Sequence, residues 1–197
     1  MIAFRYTKTD GAEYLSHLDL LRHIDRTLRR AGIKVKMSEG FHPHPKIFMN
    51  NPLGLGIKST AEYCTVEADF GGDFKKAFNQ NSPNGVKCVG FKIVDENPNY
   101  AYTIESCGYT AEVVTPFDTA EYLSREQIII TDKRGRTVDI RPRIYSLEFK
   151  DGKLHFTLGC GENNLRPDLL CEILNPLCGE AKNITKIFAQ GKYTDLR

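Results

Sequence analysis

The stretch SHLDLLRHIDRTLRRAG, residues 16–32, constrains the fold more than any other. Leu18, Leu21, Ile24, Leu28 and Ala31 recur at helical spacing, so the segment has one apolar face to bury. Ser16 stands where an N-cap is needed, Asp19 three residues on completes a capping-box-like pair, and Gly32 supplies the C-terminal stop. Strand patterns flank the helix. IAFRYTK alternates apolar and polar residues from Ile2 to Lys8, and IKVKMSEG after Gly32 reads as a second strand. A one-faced helix between two strands lies on a sheet.

The same kind of reading continues along the chain. KIFMNNPLGLGIKS is extended and broken by Pro and Gly, and AEYCTVEADF alternates. GDFKKAFNQNSP is a short helix, and GVKCVGFKIV is a closing strand. The order β-α-β-β-α-β predicts a ferredoxin-like domain over residues 1–95, an antiparallel sheet with its helices packed on one face. DENPNY, 95–100, reads as a linker. The second half repeats the order: a strand in AYTIESCGYTAEVV, a short helix in TAEYLSREQ, two or three strands with turns at KRG and KDGK, a helix in LRPDLLCEILNPL, and a closing strand in ITKIFAQGKY. Pro167 falls near the first turn of that helix, where proline is tolerated. The expected class is α+β, with two ferredoxin-like halves over 1–95 and 100–197. The second is ferredoxin-like or an elaborated α+β unit. Their sequence identity is negligible, so the repeat is one of architecture.

Several function classes lack a signal. The longest apolar runs are three or four residues, far from the roughly 18 that span a bilayer, so no membrane partner is expected. The opening MIAFRYTKTDG has no basic segment followed by an apolar one, and a cytoplasmic location is expected. The six cysteines are scattered, without CxxC or CxxxCxxC spacing, which predicts reduced, mostly buried thiols and neither a metal nor a cluster. There is no Walker A loop or Gly-x-Ser-x-Gly elbow, and GLG at 54–56 is too short for a dinucleotide fingerprint. No cofactor is expected.

Charge is more informative by region. Net charge is +2, but residues 1–60 hold ten Lys/Arg against five Asp/Glu. Arg22, Arg26, Arg29 and Arg30 form a basic ridge opposite the apolar stripe of the first helix. Such a ridge is either a solvated face with intrahelical ion pairs or a surface that follows phosphates through guanidinium forks. Tyr6, Phe41 and Phe48 are either core aromatics or stacking faces for unpaired bases. His17 is either an incidental surface histidine or a general base for a ribose 2′-hydroxyl. His23 lies six residues further on and is not expected to act with it.

The loop SEGFHPHPKI carries Phe41, Pro43, His44, Pro45 and Lys46. His42 and His44 point the same way in an extended chain, as two metal ligands would, but only Glu39 is near as a third. The prolines stiffen the loop and explain the stretch without a metal, as a rigid support that presents His44 and Lys46.

Taken together, YLSHLDLLRHIDRTLRRAGIKVKMSEGFHPHPKI and PLGLGIKSTAEY resemble the radical-SAM-linked protein family, a domain of unknown function that occurs alone or fused behind a radical S-adenosylmethionine enzyme. The resemblance rests chiefly on residues 14–63, including Ser16, His17, Asp19, Arg29, Arg30, Gly40, Phe41, Pro43, His44, Pro45, Lys46, Pro52, Gly56, Glu62 and Tyr63. It has echoes in VDIRPRI and LRPDLL. It departs at His42, where the family pattern carries asparagine, so a His42–His44 metal pair is not a family property. The family is in turn similar in architecture to RAMP-type endoribonucleases that process CRISPR repeats. The glycine-rich C-terminal loop of those enzymes has no counterpart in KIFAQGKYTDLR, which has one glycine.

The resemblance implies an RNA-binding or substrate-presenting module that acts with a radical SAM enzyme in trans on tRNA or rRNA. Its contact surface would comprise Ser16, His17, the four arginines and the Phe41–Lys46 loop. A metal-independent endoribonuclease using His17 or His44, and a protein-interaction adaptor, are the alternatives.

Overall fold

The computed structural model describes residues 1–131 and 135–196. Its first half runs β1 (Ile2–Lys8), α1 (His17–Arg30), β2 (Ile47–Met49), β3 (Lys58–Val66), α2 (Phe74–Asn81) and β4 (Cys88–Ile93). The short helix α3 (Tyr100–Thr103) leads into β5 (Ile104–Glu112), α4 (Thr119–Ser124), the hairpin of β6 (Ile129–Thr131) and β7 (Thr137–Asp139), β8 (Ile144–Lys150), β9 (Lys153–Gly159), α5 (Pro167–Cys178) and β10 (Lys182–Gly191). Lys133 and Arg134 of the predicted KRG turn lie outside the described residues.

Eight strands form one sheet in the order β4-β1-β3-β10-β5-β9-β8, with β2 also paired to β3. Each half therefore has the ferredoxin-like order, β4-β1-β3-β2 and β10-β5-β9-β8, and the β6–β7 hairpin is an insertion in the second. The class is α+β. The halves join where β3 and β10 run parallel, Ser59 opposite Lys186 and Lys58 opposite Thr185.

Alternation along β1 assigns its side chains to two cores. Phe4 and Tyr6 pack with Leu20, Ile24 and Leu28 of α1 and Phe74 and Phe78 of α2. Ala3 belongs to the second core, together with Ala61 and Tyr63 of β3, Tyr109 and Phe156 of the second half, and Leu170 and Leu174 of α5. The last residue of the predicted linker, Tyr100, is core rather than linker. Its ring lies 5.0 Å from that of Tyr63, and its hydroxyl donates to the Tyr193 carbonyl at 3.2 Å.

The ends of α1 follow its sequence signals. The Ser16 hydroxyl oxygen accepts from the Asp19 amide at 3.2 Å and its O–H donates to the Asp19 carboxylate at 2.7 Å. At the other end Gly32 takes φ +72°, and the Ile33 amide donates to the Leu28 carbonyl at 2.9 Å, a Schellman closure with Ile33 buried beneath it. Gly32→Ala is expected to cost about 1–2 kcal/mol, since any L side chain resists that backbone geometry. A urea midpoint lowered at unchanged m-value checks this.

Three expectations are corrected. Leu18 is exposed, and the buried stripe is Leu20, Ile24, Thr27 and Leu28. Tyr6 is fully buried and offers no stacking face. IKVKMSEG forms isolated bridges, Val35 with Ala68 and Met37 with Pro45, rather than a strand. Its would-be partner segment carries Pro43 and Pro45, which have no N–H to give a ladder. The second strand is instead Ile47–Met49.

Candidate functional site

Two surfaces carry chemistry. The first is the exposed face of α1. Arg22, Arg26 and Arg30 line one hollow with Leu15, Asp19, His23 and Pro83. Arg22 pairs with Asp19 at 3.1 Å, and Arg30 donates through Nε and Nη2 to the Asn81 carbonyl, so both guanidinium groups are held in place. No described residue bonds to the Arg26 side chain. The Nε2 atom of His23 is buried without a hydrogen-bond partner. Burial, Arg30 and Arg26 together hold its imidazole below the usual histidine value.

Spacing along the sequence sets His23 out of line with His17 and hides its role. A signal is nevertheless present: positions 19, 22, 23, 26 and 30 fall along one helix face.

Arg29 is separated from the other arginines. It pairs with Asp25 at 2.9 Å and lines a different hollow with Gly32, Lys34, Val35, Met37 and Pro45. The predicted ridge is thus two surfaces, the second facing the His/Pro hairpin.

In that hairpin the Ser38 hydroxyl sits 2.8 Å from His44 Nδ1 and accepts the His44 amide at 3.0 Å, while the Ser38 amide donates to the His44 carbonyl at 2.8 Å. These bonds close the loop and tie His44 to Ser38. Lys46 and Lys36 both reach the Glu67 carboxylate, at 3.0 and 3.3 Å, and hold it below the usual carboxylate range. Lys46 therefore braces the hairpin base rather than standing free. Phe41, at the tip between Gly40 and His42, is fully exposed.

The structure does not bring His17 to the hairpin. His17 opens α1 and Arg29 lies near its end, twelve residues or roughly 18 Å along the axis. Ser16 serves the helix as its cap.

The second surface is a cleft at the join of the halves. The outer edge of β3 pairs with β2 as far as Met49 opposite Cys64, and then passes to β10 at Ser59. Between the two, Asn50 takes over as a pseudo-strand: its amide donates to the Tyr63 carbonyl, and its Oδ1 accepts the Tyr63 amide. Where β2 leaves the edge, a cavity of about 290 Å³ opens, lined by the Asn50–Gly54 loop, Cys107, Cys160, Asn164, Arg166 and Lys186.

A buried ion pair floors it. Lys186 is 2% exposed and Glu62 is 3% exposed, and they meet at 2.9 Å. Ser59 Oγ and Asn50 Nδ2 also donate to the Glu62 carboxylate, at 2.8 and 3.1 Å. Arg166 at the rim pairs with Asp168. Sequence reasoning missed this cleft. Its residues come from five separate segments, and the one pointer was a glutamate inside an apolar strand pattern.

A family model described as "Uncharacterized protein conserved in bacteria (DUF2344)" matches residues 2–167. No curated protein matches the chain. Among solved structures, one chain of the "Crystal Structure of a Cbf5-Nop10-Gar1 Complex" superposes with a TM-score of 0.47 at 13% identity. The match covers 94% of this chain and 47% of that one, so the chain spans about half of its length. No helix among the described residues is long and apolar enough to cross a membrane.

Proposed function

Because the chain belongs to the DUF2344 family of uncharacterized proteins conserved in bacteria, we propose its function from its own surfaces: it binds single-stranded RNA and presents it to a separate enzyme. One observation carries the reading. Arg22, Arg26 and Arg30 surround a single open hollow on α1, with His23 in its lining and Asp19 the one carboxylate beside them. Guanidinium forks match phosphate oxygens. Phe41, on a hairpin stiffened by prolines and closed by Ser38 and His44, offers a free ring for a base to stack on. The sequence resemblance to radical-SAM-linked proteins supports a partner that carries its own cluster, acting on tRNA or rRNA.

Anisotropy titration of a labelled single-stranded oligoribonucleotide across a salt series tests the proposal. Wild type is expected to bind with a log–log salt slope that falls by about 1.4 in Arg22→Ala/Arg26→Ala, at roughly 0.7 for each phosphate that goes unneutralised. Phe41→Ala is expected to cost about 1–3 kcal/mol of affinity, roughly 5- to 150-fold. All three side chains are exposed, so the variants should fold. Absence of binding at low salt, or an unchanged slope in the double variant, overturns the reading. Capture of a partner enzyme that survives nuclease, with no RNA affinity, would identify an adaptor instead.

A further inference from the structure

The helices of the second half cover one face of its sheet. Cys107, Tyr109, Leu154, Phe156 and Leu158 share a core with Leu170 and Leu174 of α5. Alternation therefore turns Gly108, Thr110 and Glu112 of β5, with Lys153, His155 and Thr157 of β9, to the other face. Strand register arranges that face in rows. One row holds Phe188, Gly108, Thr157 and Ser146, on β10, β5, β9 and β8 in turn. The next runs from Lys58 on β3 through Thr185, Thr110 and His155 to Glu148. A third holds Lys182, Glu112, Lys153 and Lys150.

Phe188 is 41% exposed and belongs to neither core. A β-bulge in β10 just before it sets its register opposite Gly108. A Cβ at Gly108 would collide with Cε1 of the Phe188 ring, with the bonded neighbours Cζ and Cδ1 hardly farther away. That pattern places the point above the ring plane rather than off its rim. Glycine at 108 thus lets the ring lie flat on the backbone, with its other face turned outward.

We propose, resting on the RNA-binding reading above, that this face holds a second stretch of the single strand, with a base stacked on Phe188 and phosphates on the lysine row. An outward aromatic face accepts any base. The charge fits a polyanion. The third row sets three lysines against one carboxylate, and Lys153 at 3.5 Å and Asn183 Nδ2 at 2.7 Å already occupy Glu112. Lys150 and Lys182 form no ion pair among the described residues. The other carboxylates here are Glu148, at the far end of the middle row, and Asp151, in the β8–β9 turn. Between ring and lysines, Thr185, Thr110 and His155 offer hydrogen bonds to base edges and ribose hydroxyls. Gly108 to Glu112 is four residues, so the ring and the lysine row stand roughly 13 Å apart. An apolar protein segment fits poorly, because the hydroxyls of Thr157 and Ser146 flank the ring's seat.

Anisotropy titration of the full chain with a labelled single-stranded oligoribonucleotide, across a salt series, tests this. Phe188→Leu keeps an apolar side chain over Gly108 and removes the stacking face. It is expected to weaken binding roughly 5- to 150-fold at an unchanged salt slope, and Phe188→Tyr to bind as wild type does. Lys150→Ala/Lys182→Ala, two exposed positions, should lower the log–log slope by about 1.4, at roughly 0.7 for each phosphate. Photocrosslinking of a 5-bromouridine oligonucleotide should mark the β10 peptide that contains Phe188. While wild type still binds, an unchanged affinity in Phe188→Leu or an unchanged slope in the lysine variant overturns this second contact and leaves the helix hollow as the site. No binding by wild type at low salt overturns the RNA reading itself. A dimer of the RNA-free chain in sedimentation, lost in Phe188→Leu, would assign the face to a second copy and overturn the proposal.

Discussion

Glu62→Ala is expected to remove about 3–5 kcal/mol of stability, the cost of leaving one charge of a buried pair without its counterion. Lys186 has no other ion-pair partner among the described residues, and it is only 2% exposed. Burial alone would drive the Lys186 pKa down; the Glu62 carboxylate reverses this and leaves it raised. A raised folded-state value means that the pair's contribution is fully present below the ordinary lysine range and is lost only as pH rises through the folded value. The alanine variant should therefore show its full deficit at neutral pH. The same substitution removes the acceptor that Ser59 Oγ and Asn50 Nδ2 share on Glu62, leaving Asn50 Nδ2 its bond to the Asn51 carbonyl, and so loosens the point where β2 leaves the sheet. Urea unfolding of Glu62→Ala, Lys186→Met and Glu62→Leu/Lys186→Met measures the effect. The double variant should recover much of the loss, since an apolar pair leaves no buried charge. A deficit below about 1 kcal/mol in Glu62→Ala would mean that water reaches Lys186 after all.

Phe4→Ala is expected to cost about 3–5 kcal/mol. Phe4 is completely buried, with its ring centroid 5.8 Å from Tyr6, 5.1 Å from Phe74 and 5.3 Å from Phe78. Removing it opens a cavity between β1 and α2 and forfeits its packing on those rings, where each aromatic pair is worth about 0.5–1.5 kcal/mol beyond area burial. α1 seats Leu20, Ile24 and Leu28 in the same core. The variant should therefore also weaken the arginine hollow through its support, whereas Arg26→Ala should spare stability. Thermal and urea unfolding, run beside the RNA titration, separate the two effects.

The helix face also illustrates what a sequence can and cannot carry. The capping of α1 at Ser16 and its stop at Gly32 were legible because they depend on neighbours within five residues. The strand pattern of IKVKMSEG misleads because its apolar alternation is that of a strand, but a ladder also needs a partner with N–H groups, and the partner holds Pro43 and Pro45. Lys46 reads as a presented cation in the linear chain. It becomes a brace only because β3 brings Glu67 beside it. The stripe was displaced at Leu18 because apolar spacing alone does not say which of Leu18 and Leu20 faces the sheet.

Local periodicity and capping thus determined the elements and the order that repeats in the two halves, since each depends on hydrogen bonds and burial over a few residues. Only the tertiary structure decided that the halves share one sheet through β3 and β10. It also decided that Glu62 meets Lys186 across 124 positions, and that Cys160, Cys107 and Asn51 surround one cavity. Those meetings arise from strand pairing between distant segments, and the free energy of such pairing depends on the partner rather than on the sequence of either strand alone.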